Sequence, residues 1–420
     1  MSSHRLALLF VVIVLTSSAC LGSHEASTTT TTTTIDSTVP TTVTTTSPVA
    51  GSAIGIGDTY FPLLGNPGFD VEHYAISLSV AETLGVITTA TTAIEATATA
   101  DLTTFNLDFF GMTIDEITVD GITAAFVREG HDVIVSPVST IPSGEGFAIE
   151  MTYHGAPTTI GVDSIGIESG WTVVGDTAYV FAEPEAAHTW FPGNDHPSDK
   201  ATFTISATVP SGLTAISNGE LVAETGTADA TTFTWEMADP MATYLATLVV
   251  GDFVVSESDG PDGIALRDYL PAAMPTPPAA FSRTAEMLML FTEWFGPYPF
   301  EQYGHVIVPG FPAAMETQTM TMIGEGTDWE EVVAHELAHQ WFGDSVTPAA
   351  WRDIWLNEGF ATFAEFLWLE AEQGTPVMEA YAANLHSSLS FGGQGLRPIS
   401  DPGVNELFGG GVYWRGGLTL

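Results

Sequence analysis

The sequence predicts a multidomain α and β protein: an N-terminal antiparallel β saddle or sandwich domain, then a mainly helical domain. Three observations carry this. Short alternating runs, broken by Gly, Pro, Asp and Asn, extend from about Gly57 to Ser256, the pattern of many short antiparallel strands. Near Pro271 the apolar spacing turns helical. A His-Glu-x-x-His pattern lies on one of the helical stretches that follow. A chain of 420 residues that is 45% apolar has the length for two or three domains and the material for a large core.

The first 20 residues read as export machinery rather than fold. Arg5 supplies a positive start, Leu6 to Leu15 is an apolar run too short to span a bilayer comfortably, and Thr16-Ser17-Ser18-Ala19 precedes Cys20. The segment resembles a bacterial lipoprotein signal, which implies a lipidated Cys20 and attachment to the membrane. Ser17 departs from that pattern, where Leu is usual, and an ordinary secretory signal is the alternative. Cys20 is the single cysteine, so no intrachain disulfide forms. Residues 21–56 are dominated by Thr, Ser and Pro, with Thr at every position from 28 to 34. This composition buries no apolar surface and predicts an extended tether. The expected location is exported: a surface lipoprotein, or a secreted protein.

Strands are expected at His73 to Val80, Ala201 to Val209 and Tyr244 to Val250, within a β domain of residues 57–258. In residues 259–420, Pro277-Pro278 opens a helical stretch in which Phe281, Ala285, Leu288 and Phe291 recur, and Gly296-Pro297 closes it. Two stronger helices are expected near residues 329–342 and 353–372, with Gly343 as the C′ glycine of the first.

Eight Lys plus Arg face 51 Asp plus Glu, a formal net charge of -43. Such a field repels phosphate backbones and argues against nucleic acid as a partner. It attracts cations and positively charged peptide ends. It also suits an acidic surface adapted to salt.

His335 and His339 are one helical turn apart, so their imidazoles share a face. Glu336 lies beside them, placed to act as a base. Eighteen residues separate His339 from Glu358, enough for the chain to turn and pack a second helix against the first. Glu358 would then complete a His₂Glu set, the open arrangement of catalytic zinc, with one Zn²⁺ per chain.

The runs His335-Glu336-Leu337-Ala338-His339-Gln340-Trp341-Phe342-Gly343-Asp344 and Trp355-Leu356-Asn357-Glu358-Gly359-Phe360-Ala361-Thr362 resemble the aminopeptidase N family of gluzincin metallopeptidases. Ala313-Ala314-Met315-Glu316-Thr317 is similar to that family's GAMEN exopeptidase motif, with Ala313 in place of the first Gly and Thr317 in place of Asn. Trp190 to Pro197 resembles its strand-domain signature, and Val412 to Gly416 the segment carrying an oxyanion-binding Tyr. The resemblance implies a thermolysin-like catalytic domain. It implies Tyr413 as oxyanion donor, Glu316 and Glu183 as carboxylates for a substrate's α-amine, and backbone contacts near Ala313 and Ala314. The implied substrates are peptides with a free N-terminus. Two other readings stay open: the same zinc chemistry on another substrate, as in an epoxide-hydrolysing relative, and a non-catalytic binding protein or inactive fragment. The family's catalytic domain continues beyond the segment that ends here at Leu420, so the sequence reads as C-terminally truncated. His188 and His196 are read as ordinary histidines of the strand domain. Trp341, Phe342, Trp355 and Phe360 are read as core.

Overall fold

Alternation along the first half builds one large sheet. Ala201, Phe203, Ile205, Ala207 and Val209 are buried on one face of the strand Lys200–Pro210, and the Thr and Ser residues between them line the other. On that outer face, Ser206 pairs with Thr234 at 3.0 Å and Thr208 with Thr232 at 2.8 Å across to the strand Ala230–Ala242. The chain is described by a computed structural model over residues 55–162, 166–391 and 397–420. The signal segment with Cys20, and nearly all of the tether, lie outside the described residues.

Among the described residues the large sheet has eight strands, in the order Glu220–Gly226, Ala230–Ala242, Lys200–Pro210, Phe69–Val80, Ile87–Ala98, Gly146–Gly155, Thr113–Val119 and Ile122–Thr123. The sheet is antiparallel apart from one pair. Phe69–Val80 runs parallel to Lys200–Pro210, His73 opposite Thr202 through Ser79 opposite Thr208, because the long connection between them returns the chain to the same end. A five-stranded sheet, containing Thr177–Phe181 and Leu248–Gly251, packs with it. The strand expected over Tyr244 to Val250 divides into a 3₁₀ turn, Thr243–Leu245, and the short strand Leu248–Gly251. Buried side-chain bonds cause the turn: Thr243 Oγ1 donates to Asp195 at 2.7 Å, and Asn218 accepts from the Thr247 N–H at 2.9 Å.

The second half contains a sheet that periodicity does not reveal. Its order is Phe253–Asp259, Ala265–Pro271, Gln302–Val308, Thr321–Gly324, Ala314–Met315. Gln302–Val308 and Thr321–Gly324 are buried along their whole length, so neither alternates. Phe253–Asp259, counted with the β domain on sequence, pairs with Ala265–Pro271. The change of architecture therefore falls at Gly251–Asp252, earlier than residue 258.

Five helices accompany this sheet among the described residues: α1 (Thr284–Phe295), α2 (Glu330–His339), α3 (Trp355–Gln373), α4 (Thr375–Phe391) and the short α5 (Tyr413–Gly417), the last two packed on α3. Val333, Ala334, Leu337 and Ala338 of α2 pack with Met287, Leu288 and Phe291 of α1, with Ala361, Ala364 and Trp368 of α3, and with Ile307 and Ile323 of the sheet. That apolar stripe turns His335, Glu336 and His339 toward α3 and the β domain.

Specific bonds join the two halves. Asp58 Oδ1 accepts the N–H groups of Tyr60 and Phe61, and its Oδ2 accepts the Trp351 N–H at 2.9 Å. Lys200 Nζ donates to the carbonyls of Asp344, at 2.6 Å, and Ser345. Asn218 Nδ2 donates to the Gln318 carbonyl at 2.9 Å. A continuous apolar cluster runs beneath these contacts from the β domain to Trp351, Ile354 and Val412.

Candidate metal centre

His335 and His339 face Glu358 where α2 packs on α3. Glu358 Oε2 lies 3.2 Å from His335 Nε2 and 3.4 Å from His339 Nε2. Donors about 2.0–2.1 Å from a tetrahedral ion lie roughly 3.3–3.4 Å from one another, so the spacing fits such an ion. The other ring nitrogens are occupied. His339 Nδ1 donates to the Phe342 carbonyl at 3.0 Å, and His335 Nδ1 meets Glu365 Oε1 at 2.7 Å. A carbonyl accepts only, so Nδ1 of His339 carries a proton, and in the neutral ring the lone pair lies on Nε2, the nitrogen facing Glu358. Glu365 holds His335 the same way, and the Tyr381 hydroxyl donates to its second oxygen at 3.0 Å.

The site is crowded with carboxyl groups. Glu183, Glu316, Glu336, Glu358 and Asp344 are all buried. Burial alone lowers the His339 imidazole, but Glu316 and Glu358 reverse this and push it up to about 9. His335 is raised well above its ordinary value by Glu358 and Glu365, again against burial. Burial opposes ionisation of Glu358, yet the two histidines hold it down to about 2. Glu336 is pushed up to about 8, by burial first and with Glu316 and Glu358 adding to it, while the histidines oppose the rise. A divalent cation would neutralise this field and lower the Glu336 value. The donor types, their spacing and their charge therefore fit Zn²⁺.

The remaining sequence-predicted residues gather around this set. Tyr413 stacks on His335, with ring centroids 5.8 Å apart and an interplanar angle of 9°. Burial, then the Glu358 charge, pushes its phenol well above the usual range. Oxygens of Glu183, Glu316 and Glu358 lie within 4.8 Å of one another. Glu183 Oε1, Glu316 Oε1 and Glu336 Oε2 are buried without a hydrogen-bond partner. Ala314 and Met315 form an edge strand of the sheet in the second half, opposite Ile323 and Met322. The Ala313 carbonyl is already used, accepting the Gly324 N–H at 2.8 Å. His188 and His196 lie elsewhere, paired with Asp195 at 2.7 Å and Asp58 at 3.3 Å.

Two residues escaped sequence reasoning. Glu365 is one; it follows Glu358 by two helical turns on the same face of α3, a spacing that could have revealed it. Gln340 is the other. Its Oε1 accepts the Thr319 N–H at 2.8 Å and its Nε2 donates to the Glu316 carbonyl at 3.2 Å, tying the loop that carries Glu316 to the metal-facing helix. The Thr317 hydroxyl donates to the Met320 carbonyl.

The chain is similar to known proteins over both domains. The profile of the peptidase M1 N-terminal domain matches residues 70–245, and that of the peptidase family M1 domain matches residues 279–392. Aminopeptidase M1 of Arabidopsis thaliana is 37% identical over 202 residues, 44% of this chain and 23% of that protein. Aminopeptidase N of Bos taurus is 32% identical over 265 residues, 56% of this chain and 27% of that protein. The chain thus matches about a quarter of the length of these relatives. Solved structures cover it more fully. The M1 zinc metallopeptidase of Deinococcus radiodurans superposes with a TM-score of 0.80 at 34% identity, over 86% of this chain and 84% of that one. A mutant of it was solved with a Tyr-Ser-Ala substrate. A two-domain M1 zinc metallopeptidase mutant bound to L-tryptophan gives 0.81 at 34% identity. With the family's two domain profiles matched in order and most of a solved member covered, this chain belongs to peptidase family M1.

Proposed function

We propose that the chain is a zinc aminopeptidase that removes N-terminal residues from peptides. His335, His339 and Glu358 would hold the zinc ion. Bound there, zinc supplies Lewis-acid chemistry, polarising a carbonyl and acidifying water. Glu336 takes a proton from the attacking water and delivers it to the leaving amine. Tyr413 donates its O–H to the carbonyl oxygen as charge develops on it; one such donor is worth about 10²–10³ in kcat. The edge strand at Ala314 offers main-chain groups to an extended peptide, and Ala313 positions that strand from within.

One observation carries the choice of substrate: the partnerless, buried oxygens of Glu183 and Glu316 beside Glu358. Buried carboxylate oxygens call for donors, and an α-ammonium brings both N–H groups and positive charge. Aminoacyl chromogenic substrates and their N-acetylated counterparts test this. Only the free-amine set should be cleaved, a chelator should abolish cleavage, and Zn²⁺ should restore it. Equal cleavage of the acetylated set would remove the aminopeptidase reading. In the same assay Glu336→Gln should keep zinc and lose turnover.

We also propose that the chain is exported and anchored through a lipidated Cys20, with residues 21–56 as the tether. The apolar run from Leu6 to Leu15 and the small residues before Cys20 support this. Labelled palmitate should enter the wild-type protein and not Cys20→Ser; equal labelling of both would defeat the proposal.

A further inference from the structure

We propose that Glu183, Glu316 and Glu358 form a second cation site, which takes an oxygen-preferring divalent ion such as Mn²⁺ in competition with the substrate's amine. The three carboxylates offer oxygens within 4.8 Å of one another. They are 5%, 3% and 2% exposed. Two of the oxygens, Glu183 Oε1 and Glu316 Oε1, have no partner in the protein. Carboxylate-only donor sets favour hard cations over zinc. Glu358 already turns Oε2 to both imidazoles, and a carboxylate has a second oxygen with which to bridge to a neighbouring ion, as two-metal sites do. Glu316, Glu336 and His339 form another close group, but His339 is committed to the first ion.

Charge argues the same way. Five buried carboxylates converge here, and the nearby cation Lys200 is bonded to the Asp344 and Ser345 carbonyls at the periphery. One zinc ion leaves the partnerless oxygens of Glu183 and Glu316 without a cation, and a second divalent ion would occupy them in place of protons or of an α-ammonium. Competition follows, because ion and amine use the same oxygens. Mn²⁺ should raise KM for peptides and leave kcat unchanged.

The inference rests on the zinc aminopeptidase reading, and the test separates the two. The full chain is loaded with zinc, freed of excess and titrated with Mn²⁺. Bound Mn²⁺ is read from loss of the free-ion electron paramagnetic resonance signal, and zinc from elemental analysis. A Mn²⁺ site is expected in addition to the zinc. Butylammonium should displace that ion, whereas butyltrimethylammonium, equal in charge but lacking N–H donors, should not. Glu183→Gln should weaken the site about 10-fold or more while zinc stays bound. Failure to bind Mn²⁺, equal displacement by the two ammonium ions, or binding indifferent to Glu183→Gln would each overturn the second site. A chain that retains no zinc at all would instead defeat the reading on which the inference rests.

Discussion

At the scale of single residues, the centre depends on side chains whose work is to hold other side chains. Glu365 fixes the ring of His335 at 2.7 Å, and Tyr381 fixes Glu365. Partners of this kind typically set metal affinity by about 10–100-fold. Glu365→Gln should therefore weaken zinc retention by about that factor while leaving the fold intact. A chelator-competition titration measures it, and unchanged affinity would reduce Glu365 to a packing role. The site was legible in sequence to the extent that its residues share a helix. His335, Glu336 and His339 follow from a one-turn spacing, and Glu358 from the helix that must pack opposite. Gln340, Lys200 and Asn218 were not legible, because their partners come from distant segments: Glu316 and Thr319, the Asp344 carbonyl, and the Gln318 carbonyl. No local spacing encodes such pairs.

At the scale of elements, two glycines decide where Tyr413 sits. A Cβ on Gly416 would lie 2.8 Å from the Gly359 Cα, and a Cβ on Gly359 would lie 3.0 Å from the Gly416 Cα. Helices α3 and α5 therefore meet backbone to backbone, one turn from Tyr413 and next to Glu358. Gly416→Ala should push α5 outward and lift the phenol from its place over His335. Zinc should stay bound, since its ligands lie on α2 and α3. The drop in kcat should approach the roughly 10²–10³-fold loss of an oxyanion donor. Wild-type kcat in a zinc-loaded Gly416→Ala chain would show that α5 has room to move, or that Tyr413 has no such part. Element type was readable where one face meets the core and the other meets solvent, as in Lys200–Pro210. It failed for Gln302–Val308, buried on both faces, because there the apolar run has no period to read.

At the scale of the whole molecule, the acidic composition reaches the interior, and it fixes how stability should vary with pH. Burial pushes Asp108 and Asp199 up to about 7. Burial likewise raises Glu183 and Asp344 well above the carboxylate range, with neighbouring carboxylates adding to it. Unfolded, such groups titrate near about 4. Between about pH 4 and 7 the folded chain thus binds more protons than the unfolded one, so stability falls as pH rises through that window. Each such group contributes a slope of up to about 1.4 kcal/mol per pH unit. His188 acts in the same direction: burial opposes its charge, but Asp195 outweighs this and raises it, so its contribution is complete below about 6.5 and is lost at higher pH. Asp58 acts oppositely. Burial would raise it, yet hydrogen bonds from His196 and from the N–H groups of Trp351, Tyr60 and Phe61 hold it well below the carboxylate range. Its stabilisation is present above about pH 4 and is lost as pH falls further. Together these groups place the maximum at about pH 4 for the chelated chain, with stability falling from there toward neutral pH. Thermal unfolding of that chain should give a higher Tm at pH 5 than at pH 7.5. The net charge of -43 adds surface repulsion at the higher pH. Salt near about 1 M shortens the screening length to about 3 Å and removes most of that surface part, so it should raise Tm at pH 7.5 more than at pH 5. The buried part persists under salt, because groups out of reach of solvent are screened much less. A Tm in about 1 M salt that is as high at pH 7.5 as at pH 5 would assign the whole effect to the surface, and the interior carboxylates would then be ionised in the folded chain at little cost.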